Sequence, residues 1–223
     1  MSDPLADITG TITATAALGT AAYGLVDTSK FVRGGPSNHG FGDIEKALKP
    51  FFDARDGSNP STPWLTLRAN WLNGKPKDEQ KAAAKGLVRL TLNATTAAAF
   101  AGATGVDVAA LTTAAEKTDS GQQLVQTDLN ALGRFDAQVS AILDACYERA
   151  DQRYRNTSKA WACAVSVVLA IIGMLALSTD TPTGSQIVKA ILVGLLATPL
   201  APIAKDLSSS LQAAVAALQT VRK

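Results

Sequence analysis

Two apolar runs near the end of the chain dominate its hydrophobic pattern. The first, Ala160 to Leu177, is uncharged, and the second, Ile187 to Ala204, contains only Lys189. A polar break from Ser178 to Ser185, with Asp180 inside it, separates them. Each run is about the length that lets a helix cross roughly 30 Å of hydrocarbon. Together they predict a transmembrane hairpin whose second arm lets Lys189 snorkel to the interface. Pro199 and Pro202 lie in that arm, where proline removes a backbone donor and kinks a helix. They are the candidate kink and gating positions.

Ile8 to Val26 is a third uncharged stretch, bounded by Asp7 and Asp27. Its length suits a span, but its hydropathy is low. Thr9, Thr13, Ala16 and Thr20 recur at three- and four-residue steps and share a helix face. Gly10, Ala14, Ala17 and Ala21 give small residues at similar steps, a surface that allows close helix contact. One reading makes this a packed helix with each Thr hydroxyl bonded to the preceding turn. A second makes Thr9, Thr13 and Thr20 line a water-filled path. A third makes it a soluble helix.

Between these runs the periodicity predicts a series of amphipathic helices. Gly34 to Gly42 reads as a loop from its Gly and Pro content. Asp43 to Arg55 is a short helix, and Thr62 and Pro63 open another that carries Trp64 and Trp71. Lys77 to about Gly102 reads as one longer helix, and Asp107 to Lys117 as a short one. From Gln122 to Ser178 no clear stop signal appears. Leu129, Leu132, Phe135, Val139, Ile142 and Cys146 form a heptad-like seam, for packing within one chain or between chains. The expectation is one continuous rod of about 80 Å leading into the first hairpin arm, with Gly133 and Asn156 as its candidate break points. Beyond Lys205, the residues Leu207, Leu211, Val215 and Leu218 mark one apolar stripe.

The expected fold is all-α: an integral membrane protein with about three transmembrane helices and a helical cytoplasmic domain, the second span continuing a long cytoplasmic helix. The expected divisions are a Thr- and Ala-rich span over residues 1–30 and a helical cytoplasmic domain over 31–158. A hairpin over 159–204 and a cytoplasmic amphipathic helix over 205–223 follow.

Composition sharpens this picture. Aromatic residues make up 5% of the chain. That is lean for a soluble core, where aromatic side chains dominate, and suits small-residue packing in lipid. The formal net charge of +2 gives no field that points to nucleic acid. The spacing of Cys146 and Cys163 matches neither a redox pair nor a metal knuckle. The single histidine, His39, rules out a site needing two imidazoles from one chain. No metal and no cofactor are expected. The first residues carry Asp3 and Asp7 and no base, unlike a signal peptide.

Charge also sets an orientation, since Lys and Arg mark the cytoplasmic side. They cluster at Lys30 and Arg33, at Arg149, Arg153, Arg155 and Lys159, and at Lys205, Arg222 and Lys223. This places the N-terminus outside and the C-terminus inside a bacterial-type cytoplasmic membrane. The basic collar Arg149, Arg153, Arg155 and Lys159 is expected to meet anionic lipid or attract anions.

The chain lacks the HExxH, GxSxG, CxxC and Rossmann patterns. Gly35 and Gly40 have the spacing of a phosphate loop, but Phe41 and Gly42 stand where its Lys and Ser or Thr belong. An enzyme is not expected. The remaining expectations are a homo-oligomeric ion channel or pore, or a non-conducting anchored scaffold or sensor binding an unidentified protein. Both have the bilayer as partner, and only the channel has ions. If the two late runs lie in lipid, the purified chain is monodisperse in detergent and aggregates in detergent-free buffer. Size-exclusion chromatography checks this, and a stable peak without detergent would remove the membrane reading.

Overall fold

Side-chain caps and left-handed glycines divide the chain into eight described helices. The computed structural model describes the backbone of residues 4–29, 35–53, 61–178 and 181–221. Side chains are described within these segments except at 4–9, 37, 61–62 and 203–221. The helices are α1 (Pro4–Thr28), α2 (Ser37–Phe52), α3 (Ser61–Leu72), α4 (Lys77–Thr91), α5 (Ala97–Thr104), α6 (Val108–Asp119), α7 (Gln126–Leu177) and α8 (Gly184–Val221). Among the described residues there is no strand, so the protein is all-α.

Two local expectations are corrected. The single helix from Lys77 to about Gly102 is two helices. Asn93 Oδ1 accepts from the backbone N–H groups of Thr95 and Thr96 at 2.9 and 3.0 Å. Thr96 Oγ1 donates to the Thr91 carbonyl at 2.6 Å. These local bonds satisfy the backbone better than a further helical turn and end α4. The expected loop from Gly34 to Gly42 is helical from Ser37 onward. Gly40 serves close approach, not turning: a Cβ there would stand 2.6 Å from the Ala150 carbonyl oxygen and 2.7 Å from Trp71. Other boundaries follow ordinary capping. Asp107 accepts from the Ala110 N–H at 2.7 Å and starts α6, as an N-cap carboxylate does. Gly105, at φ 71°, ends α5 in the left-handed conformation that glycine adopts without a Cβ penalty.

The chain forms two compact units, one of Ser37–Tyr154 and one of Met1–Pro36 with Arg155–Lys223. The first has a conventional soluble core. Phe51, Phe100 and Phe135 meet with ring centroids 5.1 to 6.5 Å apart. Ile44, Leu48, Leu67, Val88, Leu111, Val139 and Leu143 fill the space around them. Trp64 packs edge-on against Phe52 at 4.9 Å, and Trp71 lies 6.3 Å from Tyr147. Both tryptophans therefore serve this core. The seam on α7 is filled within the chain: Phe135, Val139 and Cys146 are buried in the cluster, while Leu129 stays half exposed.

Charged side chains form a ladder between α4 and α7. Lys77 Nζ lies 2.8 Å from Glu148 and Lys81 Nζ lies 2.9 Å from Asp144. Lys85 donates to Ser140 at 2.9 Å, and Arg89 Nε donates to Asp136 at 2.7 Å. The four-residue step on each helix puts the rungs on facing stripes of an antiparallel pair. The Lys81 ammonium, hydrogen-bonded to Asp78 and Asp144, is held well above its usual range, and Lys81 holds the Asp78 carboxyl below its own. At the start of α7, Asp128 accepts from the Val125 N–H at 2.9 Å and from Lys117 at 2.6 Å.

The second unit obeys a different rule. It contains α1, the part of α7 from Arg155 onward, and α8. Apart from Val26, its buried positions are small: among them Thr15, Ala16, Ala22, Ala162, Ser166, Ala190, Ala197, Thr198 and Ala201. Gly19 on α1 lies against Ala197, where any Cβ would collide with the carbonyl. Gly194 on α8 lies against α7, where a Cβ would stand 2.5 Å from Val167 Cα. Large apolar side chains point outward, among them Val168, Ile172, Leu175, Val188, Leu192 and Leu196. Only 11% of the most apolar window of α7 is buried, and 28% of that of α8. These two helices are long and apolar enough to cross a membrane.

The long rod is present as one helix: α7 runs from Gln126 to Leu177 without a break at Gly133 or Asn156. Likewise α8 stays helical through Pro199 and Pro202. The expected stripe at Leu207, Leu211, Val215 and Leu218 lies outside the described side chains.

Gly19→Ala and Gly194→Ala should each destabilise the detergent-solubilised protein by about 1 to 3 kcal/mol through overpacking. Gly133→Ala, with open space around it, should stabilise by about 0.5 to 1 kcal/mol through reduced chain entropy. Thermal unfolding in micelles reads both signs.

Candidate functional site

Because α1 packs on α8 along one side only, its other side defines the candidate site. The packed side consists of Thr15, Ala16, Gly19, Ala22 and Val26. Thr13, Ala14, Ala17, Thr20, Ala21 and Gly24 are exposed on the opposite arc. Gly10 and Gly24 have nothing within 4 Å of a built Cβ. The arc holds only Gly, Ala and Thr, while Ile12 and Leu25 stand at its edges. The expected hydroxyl face is therefore divided. Thr13 and Thr20 are exposed, Ala16 is buried against α8, and the side chain of Thr9 lies outside the described residues.

The hydroxyls on α1 bond locally. Thr20 Oγ1 donates to the Ala16 carbonyl at 3.0 Å and Thr15 Oγ1 to the Thr11 carbonyl at 2.8 Å. This spends the proton and leaves the oxygen lone pairs. For Thr20 these face outward, where they can accept from water or meet a cation.

Sequence reasoning missed the contacts that fix the unit. Ser166, in the first apolar run, donates to the Gly194 carbonyl at 2.6 Å and lies 3.3 Å from Thr198 Oγ1. The available signal was a lone hydroxyl within an apolar run facing a Gly and a Thr four residues apart. Gly19 was overlooked because Gly10, Ala14, Ala17 and Ala21 offered an equally small face, and that face proves to be the outward one.

The basic collar is not one patch. By helical period Arg149 and Arg153 share one side of α7, and Arg155 and Lys159 another. Arg153 Nε lies 3.0 Å from Asp43, while Arg149 and Lys159 are exposed. Trp161, half exposed, follows directly. Pro199 and Pro202 are exposed on α8. They remove the donors that would serve the carbonyls of Leu195 and Thr198.

Elsewhere, among the described residues, no group of three His, Cys, Asp or Glu side chains is placed to hold a metal ion. A cleft of about 480 Å³ lies between the turn at Gly105 and α7, rimmed by Asp107, Asn130, Arg134 and Gln138. His39 is exposed. Both thiols are free. Cys146 is fully buried, its Sγ 3.3 Å from the Leu143 carbonyl, and burial pushes its pKa up to about 11.

At pH 7 Cys146 should therefore stay unlabelled by a maleimide in the native protein and react only after denaturation, as mass spectrometry of the labelled chain would show. No protein-family model, no curated protein and no solved structure matches this chain.

Proposed function

We propose that this chain is the subunit of a homo-oligomeric membrane channel in which the outward arc of α1 faces a shared, water-accessible axis. One observation carries the reading: the apolar ends of α7 and α8 expose large side chains such as Val168, Ile172, Leu175, Val188, Leu192 and Leu196, whereas the outward arc of α1 exposes Thr13, Ala14, Ala17, Thr20, Ala21 and Gly24. Lipid tails suit the first kind of surface. The second suits close contact with another helix or with water. A symmetric ring of copies would place that arc inward. Thr13 and Thr20, with Thr9 about one turn before Thr13, are the pore-lining candidates.

In this reading α1, the apolar end of α7 and α8 all span the membrane. The Ser37–Tyr154 unit then lies in the cytoplasm on the side marked by Lys and Arg. Lys159, two residues before Trp161, stands near the inner head groups, and Arg149 lies about 18 Å from Trp161 along α7. Pro199 and Pro202 give α8 two weakened turns for gating. The reading is non-enzymatic and uses no cofactor.

A non-conducting anchored scaffold is the second reading. The bond from Thr20 to Ala16 favours it, because a hydroxyl satisfied within its own helix needs no wet axis. Cysteine at Thr13 in a Cys163→Ser background separates the two. The channel predicts labelling by a membrane-impermeant thiol reagent and ion flux in liposomes that Thr20→Leu lowers at least tenfold. Unlabelled Thr13→Cys protein together with flux-free liposomes would leave only the scaffold.

A further inference from the structure

The ladder between α4 and α7 holds a helix that little else holds. Beneath its rungs the buried side chains of α4 are Gln80, Ala84, Val88 and Thr91. Val88 is the one sizeable apolar group among them, with Leu87 packing partly buried against the core beside it. By comparison, α2 buries Ile44, Leu48, Phe51 and Phe52. Leu90 is 83% exposed. Gln80 is buried, and its Oε1 has no hydrogen-bond partner among the described residues. Tyr147 Oη also donates to its backbone carbonyl over a long 3.4 Å.

Both ends of α4 are turns. Gly74, at φ 64°, precedes it, and the Asn93 turn follows it. Pro76 makes no side-chain cap hydrogen bond; Gln80 Nε2 donates to the Lys75 carbonyl at 2.7 Å at the start, and Leu92 packs partly buried against the core at the end. The bases on α4, in contrast, are all engaged: Lys77 by Glu148 and Asp151, Lys81 by Asp78 and Asp144, Lys85 and Arg89 by Asp136. These groups are between a quarter and three quarters exposed on most rungs, so dissolved ions reach them.

We propose that α4 is a salt-responsive latch, held on α7 by the four-rung ladder and released as ionic strength rises while the rest of the Ser37–Tyr154 unit stays folded. The spacing is suited to this. Four bases repeat every four residues on α4, opposite Asp136, Ser140, Asp144 and Glu148 on α7, so one turn of slippage would lose about half of the ion pairs and misplace Ala84 and Val88. Screening acts on all rungs together. The Debye length falls from about 14 Å at 0.05 M salt to about 3 Å at 1 M, below the separation between neighbouring rungs. Release uncovers an acidic row of Asp136, Asp144, Glu148 and Asp151 on α7. The latch stands on its own geometry and does not depend on whether the protein conducts ions.

Hydrogen exchange of the full chain in detergent micelles, at about 0.05 M and 1 M NaCl, tests the latch. Amides of Lys77–Thr91 should exchange about tenfold faster at high salt, with those of α2 and α5 unchanged. Lys81→Met with Lys85→Met, and separately Asp136→Asn with Asp144→Asn, should bring the fast exchange to low salt and erase the salt response. Equal acceleration in α2, α4 and α5 would make the unit one cooperative block and overturn the latch. So would no acceleration in α4, which the unmodified chain alone decides even if a variant fails to fold.

Discussion

The close approach of α8 to its two neighbours is the constraint on which the apolar unit depends. In lipid, apolar side chains gain nothing by leaving one another for the hydrocarbon, so association must come from packing and hydrogen bonds. Gly19 lets the α1 backbone reach the Ala197 carbonyl, and Gly194 lets α8 reach Val167. At that second contact Ser166 crosses to the Gly194 carbonyl and to Thr198. Each glycine gives up helical propensity, about 1 kcal/mol relative to alanine. The contact it allows has to offset that cost, which it does by bringing whole backbones together.

The two compact units thus solve opposite problems with the same secondary structure. The Ser37–Tyr154 unit removes its large side chains from water and gathers three phenylalanines at its centre. The α1 and α8 unit keeps small residues inside and displays its large ones. A chain with few aromatics can afford one conventional core. Its aromatic side chains are concentrated there: Phe51, Phe52, Trp64, Trp71, Phe100, Phe135 and Tyr147 all belong to it or pack on it.

Electrostatics divides along the same line. In the apolar unit, the buried polar contact between helices runs from the Ser166 hydroxyl to the Gly194 carbonyl and the Thr198 hydroxyl. In the other unit, ion pairs run along exposed stripes and fix the register of α4 against α7. Exposed pairs are worth little singly, about 0.2 to 1 kcal/mol each. Four in register under a thin apolar contact specify which turn faces which more than they add stability.

The sequence by itself determined the kind of helix each segment forms. Its 3.6-residue periodicity, the uncharged runs, the absence of a stop signal before Ser178 and the Asp107 cap could all be read directly, because each is a local property of backbone and side chain. It also supplied Thr13 and Thr20 as candidates, through their spacing on one face. The tertiary structure alone decided which of two equally small faces of α1 is covered. Ala17 and Ala21 look as suitable for contact as Ala16 and Ala22, and only the partner's surface distinguishes them. Likewise Gly40 read as a loop residue until Ala150 and Trp71 were seen against it, and the periodicity of α4 does not tell which acids its bases meet on α7. Local chemistry is written in sequence neighbours. Close approach and charge pairing depend on residues far apart in the chain, so they become visible only once the fold brings those residues together.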